Sequence, residues 1–232
     1  MTNPLHAIGF YKVVSSRAED RHRRHGPGLN ECSDWNPEPV EDGGVTFTSK
    51  DVLAFTSPEA DVYEVEVPEG IPIVRIEPPV LKFADSYDPV EFKAPRVTLT
   101  LIGKAGDPET IRHLAEEGVD LNVRAGRPLR QAIQLAHTGS HLPKRTAYRE
   151  IAKILLGYGA DVHRHAEEVF RYAALVNNLD LVQLLLDHDA NVNACDGEAL
   201  RMATCQGYAP LVALLLKYGA NPLAKRPQRH IP

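Results

Sequence analysis

Along the first 95 residues, apolar and polar side chains alternate with a period of two. Ile8-to-Val14 (IGFYKVV), Gly44-to-Thr48 (GVTFT), Val62-to-Val67 (VYEVEV) and Ile71-to-Ile76 (IPIVRI) read as strands. In VYEVEV the period turns Tyr63, Val65 and Val67 to a core and leaves Glu64 and Glu66 outside. Pro- and Gly-rich joints separate the strands. Asp20-to-His25 (DRHRRH) is a charged loop or helix end, and Ser33-to-Gly44 is a turn-rich connector holding the only tryptophan, Trp35. After Pro95 the period lengthens to that of amphipathic helices. Four segments repeat: DPETIRHLAEEGVDLN, REIAKILLGYGADVH, LDLVQLLLDHDANVN and APLVALLLKYGANP. Each is an apolar helix, a stop, and then Ala or Val with Asp or Asn. The stops are Gly118, Gly159, Asp189 and Gly219, at intervals of 41, 30 and 30 residues. Glycine enters the left-handed conformation that ends a helix without a Cβ penalty, and Asp is a tolerated substitute.

A shorter helix is expected before each of these, at Thr98-to-Ala105, Pro128-to-Leu135, Val169-to-Val176 and Ala199-to-Gln206. Small residues recur inside (Ala132, Ala173, Ala203), which lets neighbouring helices approach closely. One such hairpin cannot bury its own apolar face, but stacked hairpins share a continuous core. The long interval places about 11 extra residues near His137-to-Ala147, expected as a basic loop between the two helices of the second unit.

Helix, turn, helix and a GADV-type loop, repeated at 30 residues or a little more, resemble the ankyrin repeat. The short period and the Ala-Leu-Arg-x-Ala pattern are similar to the divergent ankyrin proteins of large DNA viruses. The resemblance covers residues ~97–224 and implies stacked units near 97–126, 127–167, 168–197 and 198–226. The expected architecture is therefore an α+β, β-rich domain over 1–95, then an all-α solenoid of about four repeats over 96–232. The family's Thr-Pro-Leu-His start appears here as Arg127-Pro128-Leu129-Arg130, Glu168-Val169-Phe170-Arg171 and Glu198-Ala199-Leu200-Arg201. Arg130, Arg171 and Arg201 thus form a ladder, one rung per repeat.

In the ankyrin fold the first helices and adjacent loops line a concave, partner-binding face. The resemblance implies a non-catalytic adaptor that recognises a protein through Arg124, Arg127, Arg130, Arg164, Arg171, Tyr172, Arg201 and Met202. Two roles stand open for the ladder. Its guanidinium groups fork onto the carboxylates of an acidic partner segment, or each replaces the family's histidine and bonds loop carbonyls between repeats.

Charge sharpens the division. The chain has 26 basic and 31 acidic side chains, net −5. Residues 1–95 hold 9 basic and 17 acidic groups, and the remainder 17 and 14. This balance argues against a general nucleic-acid or anionic-membrane binder. No apolar run approaches the ~18 residues of a membrane span. The start MTNPLHAIGF has no basic leader. Cys32, Cys195 and Cys205 are odd in number and lack metal-type spacing, which fits a reducing, intracellular, cytoplasmic setting (host cytoplasm for a viral protein).

Candidate chemistry is sparse. Phe10-Tyr11, Thr46-to-Ser49 and Glu64-Val65-Glu66 loosely resemble the skeleton of ADP-ribosyltransferases, which implies a dinucleotide-using enzyme with Glu66 on a ribose hydroxyl. The contrary reading is a strand with a solvated acidic face, and the gap from Ser49 to Glu66 is short for that family. His22, His25 and Cys32 are crowded by Arg21, Arg23 and Arg24, which repel a cation, and the His163-x-His165 pair reads as polar surface. No cofactor and no metal are expected. A third alternative is a structural or assembly subunit, self-associating through the last repeat.

Overall fold

A computed structural model describes residues 9–14, 26–33, 35–38, 44–54, 59–76, 90–139 and 142–223. The chain divides into two compact units, Met1–Arg124 and Ala125–Pro232. The expected DRHRRH segment, with His22 and His25, lies outside the described residues.

The first unit carries seven strands: β1 (Phe10–Val14), β2 (Gly28–Glu31), β3 (Val45–Thr48), β4 (Asp61–Glu66), β5 (Val74–Arg75), β6 (Glu91–Ala94) and β7 (Arg96–Lys104). They form one antiparallel sheet in the order β2-β7-β4-β1-β3-β6-β5. The alternation expected for VYEVEV holds: Tyr63, Val65 and Val67 are buried, and Glu64 and Glu66 are exposed. Three aromatic rings anchor the core. Phe10 lies edge-on to Phe47 and Phe92, with centroids 5.0 and 5.2 Å away. Val45, Val97 and Leu99 pack with them. The connector is also fixed by packing. Trp35 lies against Gly44, and the buried Lys93 places its Nζ 5.9 Å from the Trp35 ring while donating to the Glu38 carbonyl at 2.6 Å.

One expectation is corrected here. Thr98-to-Ala105, read as the first helix of the first repeat, is strand as far as Lys104: it falls in β7, which pairs with both β2 and β4, and Ala105 begins the turn after it. Its sequence RVTLTLIGK alternates as a strand does, and Val97 and Leu99 are buried on one face. A sheet in this place overrides the repeat register. The helix read from DPETIRHLAEEG does form, as α1 (Pro108–Glu116). Asp107 caps it, accepting from the Glu109 N–H, with Pro108 in the first turn.

The second unit is helical: α2 (Val123–Thr138, whose first residues precede the division), α3 (Leu142–Gly157), α4 (Arg164–Leu175), α5 (Leu179–Asp187), α6 (Ala194–Cys205) and α7 (Ala209–Lys217). The stops act as expected. Gly159, Asp189 and Gly219 have φ of 91°, 66° and 83°. The N–H of the next residue then turns back, from Ala160 to Leu155, Ala190 to Leu185 and Ala220 to Leu215. The Asp or Asn that follows has its own task. Asp161, Asn191 and Asn221 each accept from the N–H two residues on, closing the loop. Ala132, Ala173 and Ala203 are buried, as are Ile133, Phe170, Leu185 and Leu215 of the same unit.

A second left-handed turn opens each first helix. It comprises Arg124, Ala125 and Gly126 in α2, His165 and Glu167 in α4, and Cys195, Asp196 and Gly197 in α6. The expected basic loop at His137-to-Ala147 is the other correction. The extra residues lengthen two helices, so α2 and α3 reach 16 residues each and Lys144 and Arg145 lie within α3. Leu, Lys, Arg and Ala favour helix, and Pro143 is harmless in a first turn. Arg145 Nε donates back to the Gly139 carbonyl at 2.9 Å.

Candidate partner-binding groove

α2, α4 and α6 are the first helices of successive hairpins, and a groove of about 230 Å³ crosses them. Its floor is apolar and buried: Ile133 from α2, Val169 from α4 and Ala199 from α6. Tyr172, Leu175 and Met202 stand along it, and Leu175 is 58% exposed. The Tyr172 ring meets the His137 ring edge-on at 6.4 Å, which limits its rotation.

Two ion pairs cross the same groove. Arg130 Nη1 reaches Glu168 Oε2 at 3.3 Å, and Arg171 Nε reaches Glu198 Oε2 at 2.5 Å. Each joins one hairpin to the next. The Glu198 carboxylate, hydrogen-bonded to Arg171, raises the affinity of that guanidinium for its proton still further. The partners of both arginines are therefore carboxylates of the next repeat, not the loop carbonyls considered from sequence. All four side chains are partly exposed, so each pair contributes at most about 1 kcal/mol and serves mainly to fix the groove walls.

Of the eight residues singled out from sequence, Arg130, Arg171, Tyr172 and Met202 line the groove. Arg124, Arg127, Arg164 and Arg201 do not. Arg124 sits in the left-handed turn that opens α2, and Arg164 pairs with Asp161 at 2.9 Å on its own loop. Sequence reasoning missed Glu168 and Glu198. The signal was present as Glu-x-x-Arg in two consecutive repeats, which puts both charges on one helix face.

Beside the groove lies an unusual carboxylate. Glu167 is buried with φ of 61°, at the position held by Gly126 and Gly197 in the neighbouring repeats. Its Oε1 bonds His163 Nδ1 at 2.6 Å, while its Oε2 is buried with no hydrogen-bond partner. That hydrogen bond raises the His163 pKa above its ordinary value. His163 thus has a partner of its own within the H-x-H pair.

The first unit has a cavity of about 100 Å³ where β1 and β3 diverge, the two strands being paired only at Tyr11↔Thr48. Tyr11, Lys12, Val13, Thr46, Phe47, Thr48 and Glu91 line it. Lys12 Nζ donates to the Thr46 carbonyl at 2.8 Å. Burial pushes the Tyr11 hydroxyl up to about 12, aided by Glu117 and Glu64, and raises the Glu91 carboxyl. Of the transferase-like pieces, Tyr11, Thr46, Phe47 and Thr48 reach this cavity. Phe10 belongs to the aromatic core, and Glu66 pairs with Thr98 of β7.

Among the described residues, no group of three or more His, Cys, Asp or Glu is placed to hold a metal. No described helix is long and apolar enough to cross a membrane.

A family model for ankyrin repeats in three copies matches residues 144–226. Residues 144–226 are ankyrin repeats. The match runs from α3 through α7, so it contains α4 and α6, two of the three helices that build the groove. Ankyrin repeats are protein–protein interaction modules, and the helical unit therefore carries one. The fold is a seven-stranded antiparallel sheet followed by helices that include this ankyrin segment. No curated protein matches the chain.

Proposed function

We propose that the protein is a non-catalytic adaptor whose ankyrin segment captures a partner protein in the groove across α2, α4 and α6. The observation that carries this reading is the pairing of exposed apolar side chains with preformed ion pairs. Tyr172, Leu175 and Met202 offer removable apolar surface, while Arg130–Glu168 and Arg171–Glu198 hold the walls in place before anything binds. Binding to such a pre-ordered surface loses little conformational freedom. Tyr172 is the anchor, because a rigid ring fixed by His137 resembles the aromatic hot spots of interfaces. Arg127, within α2, and Arg164, the first residue of α4, serve as outlying contacts, as does Arg124 in the turn that opens α2. The free thiols of Cys195 and Cys205, both exposed, support an intracellular, reducing setting.

Selection of short displayed peptides on the full chain tests the proposal. Wild-type protein is expected to enrich a peptide family that the Tyr172→Ala, Met202→Ala double variant no longer binds, with both proteins giving the same thermal melt. Enriched peptides that bind wild type and variant equally would move the partner surface elsewhere.

A further inference from the structure

The first helices carry a relay of opposite charges. Glu168/Arg171 and Glu198/Arg201 repeat the spacing Glu-x-x-Arg, and Arg127/Arg130 occupy the same two positions one repeat earlier. Arg130 pairs forward with Glu168, and Arg171 pairs forward with Glu198. By the same geometry Arg201 would reach for a carboxylate one repeat further on. Among the described residues it makes no hydrogen bond and no ion pair, and its Nη1 is buried without a partner. A guanidinium with no pair of its own is matched best by a carboxylate, whose two oxygens fit its planar fork. Met202, the next residue along α6, faces the groove.

We infer that Arg201, the rung beyond the last wall pair and the residue before Met202, sets what is recognised at that end of the groove. It accepts a glutamate or aspartate of a partner protein whose neighbouring apolar side chains lie over Met202 and Tyr172. The partner's carboxylate would complete the unfinished rung. This rests on the reading of the groove as a partner site and adds the chemistry of what is recognised.

Charge argues against the other occupants. A second copy stacking its front repeat here would present Arg127 at the place where a glutamate is needed. A nucleic-acid strand would bring many phosphates past Glu168 and Glu198 on the groove wall. Within this chain, the residue 30 positions beyond Glu198 is Gln228, which carries no charge.

The test uses the full chain and peptides selected on it. Selected peptides are expected to share one Glu or Asp flanked by apolar residues. Changing that Glu to Gln is expected to weaken binding to wild type about tenfold or more. The same change should matter less than about twofold on Arg201→Gln, and Arg201→Lys should keep part of the preference because charge survives but the fork does not. Since Arg201 makes no internal pair, Arg201→Gln should melt no lower than wild type. Peptides enriched without an acidic residue, or an acid preference that persists on Arg201→Gln, overturn the inference while the groove stands. A markedly lower melting point for Arg201→Gln also overturns it, by assigning the residue a structural task. Failure to enrich any peptide on wild type would remove both the inference and the groove.

Discussion

Replacing Glu167 by glycine should stabilise the helical unit, although it deletes an ion pair. Glu167 holds φ of 61° where its counterparts are Gly126 and Gly197. A left-handed backbone costs a residue with a Cβ about 1–2 kcal/mol. Glycine returns about 0.5–1 kcal/mol of that through its greater freedom in the unfolded chain. The buried, unpartnered Oε2 adds a penalty of about 1–3 kcal/mol that the substitution removes. Against this stands the bond to His163, whose side chain is 58% exposed, so its loss costs only about 0–1 kcal/mol. The net gain is about 2 kcal/mol above neutral pH, with limits of about 0 and 4.5, and it raises the melting point by several degrees. The pH dependence has a definite sign. The folded-state pKa of His163 is raised above 6.5, so the pair stabilises the wild type at and below that pH. That stabilisation disappears as pH rises through the folded value. The advantage of Glu167→Gly should therefore be largest at about pH 8 and shrink towards about pH 5. Thermal melts by far-UV circular dichroism at both pH values supply the measurement. Glu167→Ala, which keeps the strained backbone, should lie about 1 kcal/mol below the glycine variant. A glycine variant less stable than wild type at the higher pH would refute the balance.

Gly44→Ala should destabilise the sheet unit by about 2 kcal/mol or more, because a Cβ would sit 2.9 Å from the Trp35 ring on a backbone with φ of 88°. Trp35, the only tryptophan, reports the change through its fluorescence; an unaltered unfolding midpoint would contradict the packing described. Arg171→Ala, Glu198→Ala and their combination should give a coupling energy of about 0.3–1 kcal/mol that shrinks as salt is added. A coupling of zero at low salt would show that this pair does not hold the groove wall.

Much of the helical half was legible because its signals are local. A left-handed stop, an Asx turn two residues later and a buried alanine each write themselves into a short stretch of sequence. The ladder was legible as an alignment, but what Arg130 and Arg171 hold was not, since a partner one hairpin away has no fixed sequence distance until the repeats are in register. The failures share a cause. At 98–105 the repeat template was extended over residues whose own alternation said strand, and β7 forms because β2 and β4 supply neighbours distant in sequence. At 137–147 added length was equated with a loop, although its composition favours helix. The strands β2 (GLNE) and β6 (EFKA) hold few apolar residues and no clear alternation, and only pairing with β7, β3 and β5 defines them.

β7 also constrains how this gene product can have been assembled and reshuffled. Among the described residues it is the one strand paired with β2; it also flanks β4 and passes into the capped start of α1 with only Ala105, Gly106 and Asp107 between. A recombination event cutting at residue 95 would orphan an edge strand on one product and leave an unmatched ribbon on the other. The sheet and its first helix must be inherited as one cassette, so the seam along which ankyrin hairpins can be added, lost or exchanged lies beyond α1.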